Sequence, residues 1–334
     1  MHRDWIISAV LMLLLAAVFL ISLLAGRVWL PIGEVWDGLW SLDSGSKDAN
    51  LAATIVTQLR LPRAILALEV GGALGVAGAV LQGVTRNPLA EPGLLGVSAG
   101  AALGAVIAVY FGFATHFTAA APLLGLVGAL FASLLTFALG RGGGTITLVL
   151  AGAAVSALAA AGIALALNLA PNPYAAYEIM TWLMGSLADR SWSQVFLVTP
   201  FILLGCAMLL FTARGIDALT LGEAQAMSLG VNIGRLYFLA VFGTALAVGA
   251  STAVTGVVGF IGLVAPHLMR PLLGHQPSRI LFPAALTGAL LLLLADIATR
   301  WIHVGTELKL GVLTSLIGTP FFFWLVVRLR KTAP

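Results

Sequence analysis

Few side chains in this sequence have the type and spacing that covalent or metal chemistry requires. The five histidines stand far apart in the chain, at positions 2, 116, 267, 275 and 303. No cysteine or second histidine stands near His267 at the spacing of zinc ligands, so we interpret His267 as a hydrogen-bonding residue at a helix end. An enzyme site would need a nucleophile with a base, or clustered histidines and acids. The sequence therefore predicts no catalytic residue and no metal site.

Two other reactive side chains lie inside apolar stretches. Cys206 is the single cysteine, which excludes an intrachain disulfide, and we interpret it as a packing residue. Glu69 is the acid placed most clearly within such a stretch. Buried ionisable groups in membranes usually pair, so we expect Glu69 to bond to a neighbouring helix. A role in a pathway across the membrane stays open as the alternative.

The composition indicates the elements that carry these residues. Hydrophobic residues make up 60% of the 334 residues and charged residues only 9%, against about 25% in an average soluble domain. This excludes a secreted disulfide scaffold, a disordered chain and a nucleic-acid binder. The many glycines suit closely packed membrane helices, and Gly71, Gly72, Gly75 and Gly78 are expected to let another helix approach. The predicted fold class is an all-α membrane protein.

Hydropathy predicts ten membrane-spanning helices in a single transmembrane domain over residues 1–334. The predicted spans are 5–26, 60–83, 93–113, 119–139, 145–168, 193–212, 235–254, 258–271, 280–299 and 307–328. The eighth is too short to cross at a modest tilt. The first is longer than the core of a cleaved signal peptide, which is about 7–15 residues, so we interpret it as a membrane helix. An even number of spans places both termini in the cytoplasm, and basic residues show a mild bias to that side.

Four motifs occur in a characteristic order. They are R-L-P-R at 60–63, Q-G-V-T-R-N-P-L-A-E-P-G-L-L-G-V at 82–97, G-V-V-G-F-I-G-L-V-A-P-H-L-M-R at 256–270 and L-A-D-I-A-T-R at 294–300. In this order and spacing they resemble the FecCD family of ABC-importer permeases, from about residue 55 to 328. The resemblance implies the ten-helix permease fold of a type II ABC importer. It also implies import of an iron–siderophore, haem or vitamin B12.

The second motif contains strong helix breakers. Asn87-Pro88 and Glu91-Pro92-Gly93 force a compact turn on the cytoplasmic side. We interpret this turn as structural, and contact with a partner ATPase is the alternative.

The segment 214–234 is the longest cytoplasmic stretch. Thr220 and Glu223 fit a capping box in which Glu223 reaches back to the N-cap, and Gly230 suits a left-handed helix C-terminus. The segment therefore predicts a short surface helix, which solvation alone could explain. The resemblance implies that this helix docks on the ATPase and transmits ATP-driven closure. The expected contact residues are Thr220, Leu221, Gly222, Glu223, Met227 and Gly230.

Three arginines on the outer side need an explanation, because the positive-inside rule disfavours them there. Arg60, Arg63 and Arg300 could extend toward lipid headgroups. The resemblance implies instead that they form pockets for glutamates of a periplasmic binding protein, which would favour orientation and encounter rate. Asp296 is expected to orient Arg300 as an i,i+4 pair.

The fifth predicted span begins at Thr145, after a glycine turn. The resemblance places Thr145 and Ile146 loosely at a cytoplasmic gate between two subunits. A threonine at a helix start is alternatively a simple N-cap.

The sequence has no G-x-x-x-x-G-K-[ST] phosphate loop, so ATP and magnesium would be bound by a partner and this chain would hold no cofactor. The resemblance implies a homodimer in the lipid bilayer of the bacterial inner membrane, with two ATP-binding cassette subunits and a periplasmic substrate-binding protein. Iron(III)–siderophore is the expected substrate, with haem and cobalamin as alternatives. An ion-driven secondary carrier is a rival, but such carriers place more ionisable groups at mid-membrane.

Overall fold

The computed structural model describes residues 2–26, 29–40, 47–304 and 306–332. Sixteen helices account for most of the described chain, together with a π-helical turn at Ile55–Arg60, a 3-10 helix at Pro92–Leu95 and two short antiparallel strands, β1 (His303–Val304) and β2 (Thr306–Glu307). The helices are α1 (His2–Leu24), α2 (Ile32–Trp40), α3 (Lys47–Thr54), α4 (Leu61–Thr85), α5 (Val97–Tyr110), α6 (Phe113–His116), α7 (Ala120–Gly140), α8 (Gly144–Asn168), α9 (Pro173–Leu183), α10 (Trp192–Leu210), α11 (Ala213–Leu219), α12 (Glu223–Ser228), α13 (Ile233–Thr255), α14 (Ile261–Leu273), α15 (Pro277–Trp301) and α16 (Leu310–Thr332).

The helices confirm the predicted fold class. Within the described residues, seven are long and apolar enough to cross a membrane: Arg3–Leu24, Leu51–Thr85, Ala120–Gly140, Gly144–Asn168, Trp192–Leu210, Ile233–Thr255 and Pro277–Trp301. Three shorter apolar helices are Val97–Tyr110, Ile261–Leu273 and Leu310–Leu325. Each predicted span overlaps one of these helices. The count of ten crossings and the cytoplasmic termini stay predictions.

Helix α14 explains why the eighth predicted span is short. Its 13 residues rise only about 20 Å at 1.5 Å per residue, whereas a hydrocarbon core is about 30 Å thick. The chain reaches α14 through Gly256 and Phe260, both at positive φ. Pro266 lies inside α14 and has no N–H to bond the carbonyl of Gly262.

The helix continues past Pro266 to Leu273, so His267 lies in the middle of α14. The expectation of a helix-end position was therefore wrong. Pro266 and Pro271 each remove one intrahelical bond, and here the helix tolerates that loss. The His267 ring packs edge-on against Phe321 of α16, with ring centroids 5.7 Å apart.

The centre of the bundle is a close contact between α4 and α15. Gly71 packs against the backbone of Gly288, and Gly75 against the carbonyl of Ala284. A Cβ atom at either glycine would overlap the α15 backbone. Gly78 approaches the backbone of Gly262 on α14 in the same way. These contacts confirm the packing role expected for Gly71, Gly75 and Gly78, because only hydrogen at Cα allows two helix backbones to come so close. For Gly72 the expectation was wrong, since the nearest atom lies 3.7 Å from the position of an added Cβ.

The outer helices of the bundle, α1, α8 and α10, expose large apolar side chains such as Leu13, Leu158 and Phe196. Such surfaces suit contact with lipid. Helix α10 also confirms the expectation for Glu69. Thr199 donates to both carboxylate oxygens of Glu69, at 2.9 and 3.0 Å.

Candidate functional site

The predicted coupling segment, 214–234, folds as two short helices rather than one. Helix α11 was missed from the sequence because its seven residues are too few for a periodic pattern, and its Ile216 and Leu219 are fully buried. In helix α12, which the structure describes in full, Ala226 is the one buried residue. It ends as predicted at Gly230, whose φ is +85°. The N–H of Gly230 bonds Met227 and that of Val231 bonds Ala226, which is a Schellman ending.

The predicted capping box does not form. Thr220 Oγ1 donates to the carbonyl of Asp217 at 2.6 Å, and Thr220 follows α11 as its C-cap residue. The N-cap of α12 is Gly222, with φ of +107°. The sequence pattern was misleading because Glu223 has stronger partners elsewhere than the backbone of its own turn.

Those partners lie at the starts of α8 and α13. Glu223 Oε1 accepts from the backbone N–H of Thr145 at 3.4 Å, from Thr145 Oγ1 at 3.1 Å and from Tyr237 Oη at 2.8 Å. The two hydroxyl oxygens are themselves 2.8 Å apart. The hydrogen bond from Tyr237 is the main reason why the pKa of Glu223 lies below its ordinary value, with further lowering by Thr145 and the charge of Arg86. The carboxylate is therefore ionised in this setting.

Glu223, and not Thr145, stabilises the first turn of α8. The N-cap is Gly143, and Thr145 lies within the first turn of the helix with its own N–H bonded to Glu223. The interpretation of Thr145 as a simple N-cap was thus wrong. Gly144 has φ of +71°, and a side chain there would contact the Glu223 carboxylate. Ile146, the second predicted gate residue, is 76% exposed.

A second carboxylate of the coupling segment stabilises another helix start. Asp217, on α11, accepts from the N–H of Ser278 at 2.8 Å and from its hydroxyl at 2.6 Å. Gln276 donates to the same carboxylate at 2.8 Å. These residues form the beginning of α15. Sequence reasoning missed Asp217, since nothing in the local pattern links it to a helix start about sixty residues later.

The coupling segment therefore places one carboxylate at the N-terminus of each of two long helices, α8 and α15. Negative charge is favourable there, because the first N–H groups of a helix have no intrahelical acceptors and the helix dipole is positive at this end. The arrangement connects the surface segment to the bundle by directional, charge-assisted bonds.

The same segment exposes three large apolar side chains. Leu221 is 63% exposed, Met227 56% and Leu229 65%. Leu229 was not among the predicted contacts. Of those that were, Thr220 and Gly230 are also exposed, whereas Gly222 and Glu223 are partly buried.

The turn of the second motif lies beside this segment. Asn87 Oδ1 accepts from the N–H of Leu89 at 2.9 Å, and the predicted compact turn continues into the 3-10 helix Pro92–Leu95. A cavity of about 230 Å³ opens nearby, and its lining includes Gln82, Arg86, Thr220, Arg270 and His275.

Two of the three predicted docking arginines, Arg60 and Arg300, contact the end of α1. Arg60 Nη1 donates to the carbonyls of Leu23 and Leu24, at 2.8 and 2.7 Å. Arg300 Nη1 donates to the carbonyls of Ser22 and Ala25, at 2.8 and 2.9 Å. These carbonyls belong to the last turn of a helix, where intrahelical donors are missing and a cation is favourable.

Asp296 forms ion pairs with both Arg63 and Arg300. It is fully buried, forms the expected i,i+4 ion pair with Arg300, and accepts from Arg63 Nε at 2.8 Å. The expected orientation of Arg300 by Asp296 is confirmed. Arg60 and Arg300 are only 8% and 7% exposed, whereas the Arg63 side chain is 15% exposed. Docking of a binding protein stays a prediction, and Arg63 is the most accessible of the three arginines.

The fold and these two ends define a class of protein: a helical membrane permease with a short helix pair at one end and a buried arginine cluster at the other. Comparison with known proteins then identifies the family. The model of the FecCD transport family matches residues 13–328. The chain belongs to this family and is a permease subunit of a type II ABC importer. Members of the family are transport permeases and not enzymes.

Three similar proteins illustrate the family. The hemin transport system permease protein HmuU of Yersinia pestis is 41% identical, over 82% of this chain and 83% of that protein. The Fe(3+) dicitrate transport system permease protein FecD of Escherichia coli is 40% identical, over 83% of this chain and 86% of that protein. A solved structure of a metal-chelate type ABC transporter in an inward-facing conformation has a TM-score of 0.82 and 32% identity, and the match covers 97% of this chain and 99% of that one.

Proposed function

We propose that this chain is the permease subunit of an inner-membrane importer of an iron(III)–siderophore in a bacterium. Two copies would form the passage at their shared interface. Hemin is a second candidate substrate, since one relative carries that description, and cobalamin is the third expected from the family. The predicted path carries few charges, which suits a bulky chelate that must bind weakly and leave.

The observation that carries the proposal is the exposed apolar surface of the coupling segment. Leu221 lies between α11 and α12, Met227 lies on α12 and Leu229 directly follows it, and all three are exposed. Both helices are bonded to the bundle, α12 through Glu223 and α11 through Asp217. A rigidly held group of apolar side chains is typical of a docking surface, because apolar burial drives association and little order is lost on binding. We propose that two ATP-binding cassette subunits dock here and supply the ATP hydrolysis.

The outer arginines form the second proposed interface. All three arginines are already bonded, Arg60 and Arg300 to carbonyls of α1 and Arg63 to Asp296. The Arg63 side chain is the most exposed of the three, so a glutamate of the binding protein would meet Arg63 first. A complementary charge pair at this rim would raise the association rate more than the affinity.

The experiment is ATP-driven uptake into proteoliposomes that contain this chain, its cognate ATPase and binding protein. A labelled ferric siderophore, hemin and cobalamin are offered in separate reactions. Uptake of the siderophore alone supports the proposal. Uptake of hemin or cobalamin instead would mean that this compound, and not the siderophore, is the substrate. Uptake that persists without the ATPase and follows an ion gradient would favour the rival secondary carrier.

Each interface has its own variants. Leu221→Ala and Met227→Ala should reduce co-purification of the ATPase, whereas Arg141→Ala, in another exposed turn, should not. Arg63→Gln should slow association of the binding protein at low salt, whereas Lys309→Gln should not. If the binding protein associates with the Arg63→Gln and Lys309→Gln variants at the same rate, Arg63 does not take part in the interface.

A further inference from the structure

Two residues with separately predicted roles meet in the structure. Glu223 was predicted as a contact of the ATPase and Thr145 as part of a gate, and they are 78 positions apart in the chain. Together with Tyr237 they form a cluster in which each pair of side chains brings two oxygen atoms within 2.8–3.1 Å of each other. We name these three residues the Glu223 cluster.

The cluster connects three elements. Glu223 begins α12, Thr145 lies in the first turn of α8, and Tyr237 lies in the first turns of α13. Tyr237 is 8% exposed, so its ring is fixed by packing and its hydroxyl has little freedom to leave the carboxylate. A carboxylate that accepts three bonds, two of them from one residue of the neighbouring helix, transmits displacement better than an apolar contact, because the bonds are directional and charge-assisted.

The two helices of the coupling segment are attached differently. Helix α11 is fixed by buried Ile216 and Leu219 and by the bonds of Asp217 to Ser278. Helix α12 buries only Ala226 of its residues, so the bonds of Glu223 are a large part of its attachment. The expected response to a pull at the surface is thus a movement of α12 about a stationary α11.

We propose that Tyr237 is a positioning residue for transport, which holds the Glu223 carboxylate so that movement of α12 displaces the N-terminus of α8 at Thr145 and Ile146. The inference rests on the proposed docking of an ATPase at α12. It adds the route by which that docking reaches the passage, and it changes the role of Glu223 from a surface contact to an internal link.

Ile146 offers a direct reporter of this movement because it is 76% exposed and follows Thr145 in the chain. Cys206→Ala removes the single native thiol, and Ile146→Cys introduces a new one. The complex with the ATPase is reconstituted, and the maleimide labelling rate of the new thiol is measured without nucleotide and with ATP and vanadate. ATP hydrolysis and melting temperature are measured on the same samples.

The expected result is a several-fold change in labelling rate on addition of ATP and vanadate. Tyr237→Phe and Thr145→Val should reduce this change at least several-fold, while ATP hydrolysis and co-purification of the ATPase persist. Thr145→Ser keeps the hydroxyl and should restore the response. Thr147→Val is the matched control on the same helix, because the Thr147 hydroxyl bonds only the carbonyl of Gly143 among the described contacts.

Two outcomes would overturn the inference. One is that the labelling rate of the Cys206→Ala, Ile146→Cys protein is the same with and without nucleotide, although the assembled complex hydrolyses ATP. In that case α8 does not move with the ATPase. The other is a full nucleotide response in both Tyr237→Phe and Thr145→Val. Failure of the proposed function is distinguishable from both, because the ATPase would then neither co-purify with the chain nor be affected by Leu221→Ala.

Discussion

Single carboxylates decide much of the local structure of this permease. Glu223 and Asp217 look alike in sequence, as acids in one polar loop, yet each bonds the start of a different long helix. Glu91 is a third case. Its carboxylate accepts from the backbone N–H of Phe260, which has a left-handed φ of +66°, and burial raises the pKa of Glu91 above its ordinary value.

Glu91 is the first residue to test. Glu91→Gln should be tolerated, because the amide oxygen can still accept from Phe260 and an uncharged group is cheaper to bury. Glu91→Ala should lower the free energy of unfolding by about 1–3 kcal/mol, since it leaves a buried N–H unpaired. Thermal unfolding in detergent compares the two variants. Equal destabilisation by both would mean that the charge of Glu91, and not its acceptor, is required.

The lowered pKa of Glu223 predicts a pH dependence with a definite sign. A carboxylate whose pKa is lower in the folded state stabilises the fold above its ordinary pKa of 4.5 and loses that contribution as the pH falls through the lower folded value. Between about pH 7 and pH 5, which lie above the ordinary pKa of a glutamate, the difference in melting temperature between the native chain and Glu223→Gln should stay constant. It should narrow only at more acid pH. Narrowing already near neutrality would contradict the ionised network.

At the scale of elements, the end of α1 and the starts of α8 and α15 are stabilised by side chains from elsewhere in the chain. Arg60 and Arg300 satisfy the last carbonyls of α1, and the two carboxylates of the coupling segment satisfy the first N–H groups of the other helices. Helix termini leave unpaired groups that are costly away from water. Arginines from elsewhere in the chain supply donors for the carbonyls, and carboxylates from elsewhere supply acceptors for the N–H groups.

The α1 contact gives a prediction at this scale. Arg60→Ala should lower the free energy of unfolding by about 1–3 kcal/mol, because the carbonyls of Leu23 and Leu24 lose their donors. Arg279→Ala is the matched control. Its ion pair with Asp4 is partly exposed, so its loss should cost about 0–1 kcal/mol. Limited proteolysis at the end of α1 and thermal unfolding measure both variants. Similar values for the two would show that Arg60 is not needed at the α1 terminus.

Across the whole molecule, close backbone contacts set the arrangement of the bundle. Lipid offers no hydrophobic drive between helices, so packing and small residues decide which helices meet. Gly71 and Gly75 face α15, and Gly78 faces α14. Gly72, on the same helix, has more room, with the nearest atom 3.7 Å from the position of an added Cβ.

Gly75 and Gly72 therefore form a matched pair for mutation. Gly75→Ala should reduce stability by about 1–3 kcal/mol through overpacking against the carbonyl of Ala284. Gly72→Ala should be neutral or slightly stabilising, because alanine favours the helix by up to about 1 kcal/mol relative to glycine. Melting temperature and yield of folded protein measure the pair. A larger loss at Gly72 than at Gly75 would contradict the α4–α15 packing.

The sequence by itself determined the class, the approximate helices and the family. Long apolar runs predict membrane helices because every backbone polar group must be satisfied within lipid, and the long motifs at 82–97 and 256–270 are specific enough to indicate the FecCD family. Local chemistry also placed the left-handed Gly230, the Asp296–Arg300 pair and the packing glycines Gly71, Gly75 and Gly78 correctly.

Only the tertiary structure decided which partner each polar group takes. The capping box at Thr220 was the best local choice for Glu223, and it failed because Thr145 and Tyr237 offer several donors across the fold. The outer arginines were expected at a surface, but Arg60 and Arg300 bond carbonyls of α1 and Arg63 pairs with Asp296. Such pairings join residues dozens to hundreds of positions apart. No periodicity in the chain encodes them, because a hydrogen bond depends on the final distance between two groups and not on their separation in sequence.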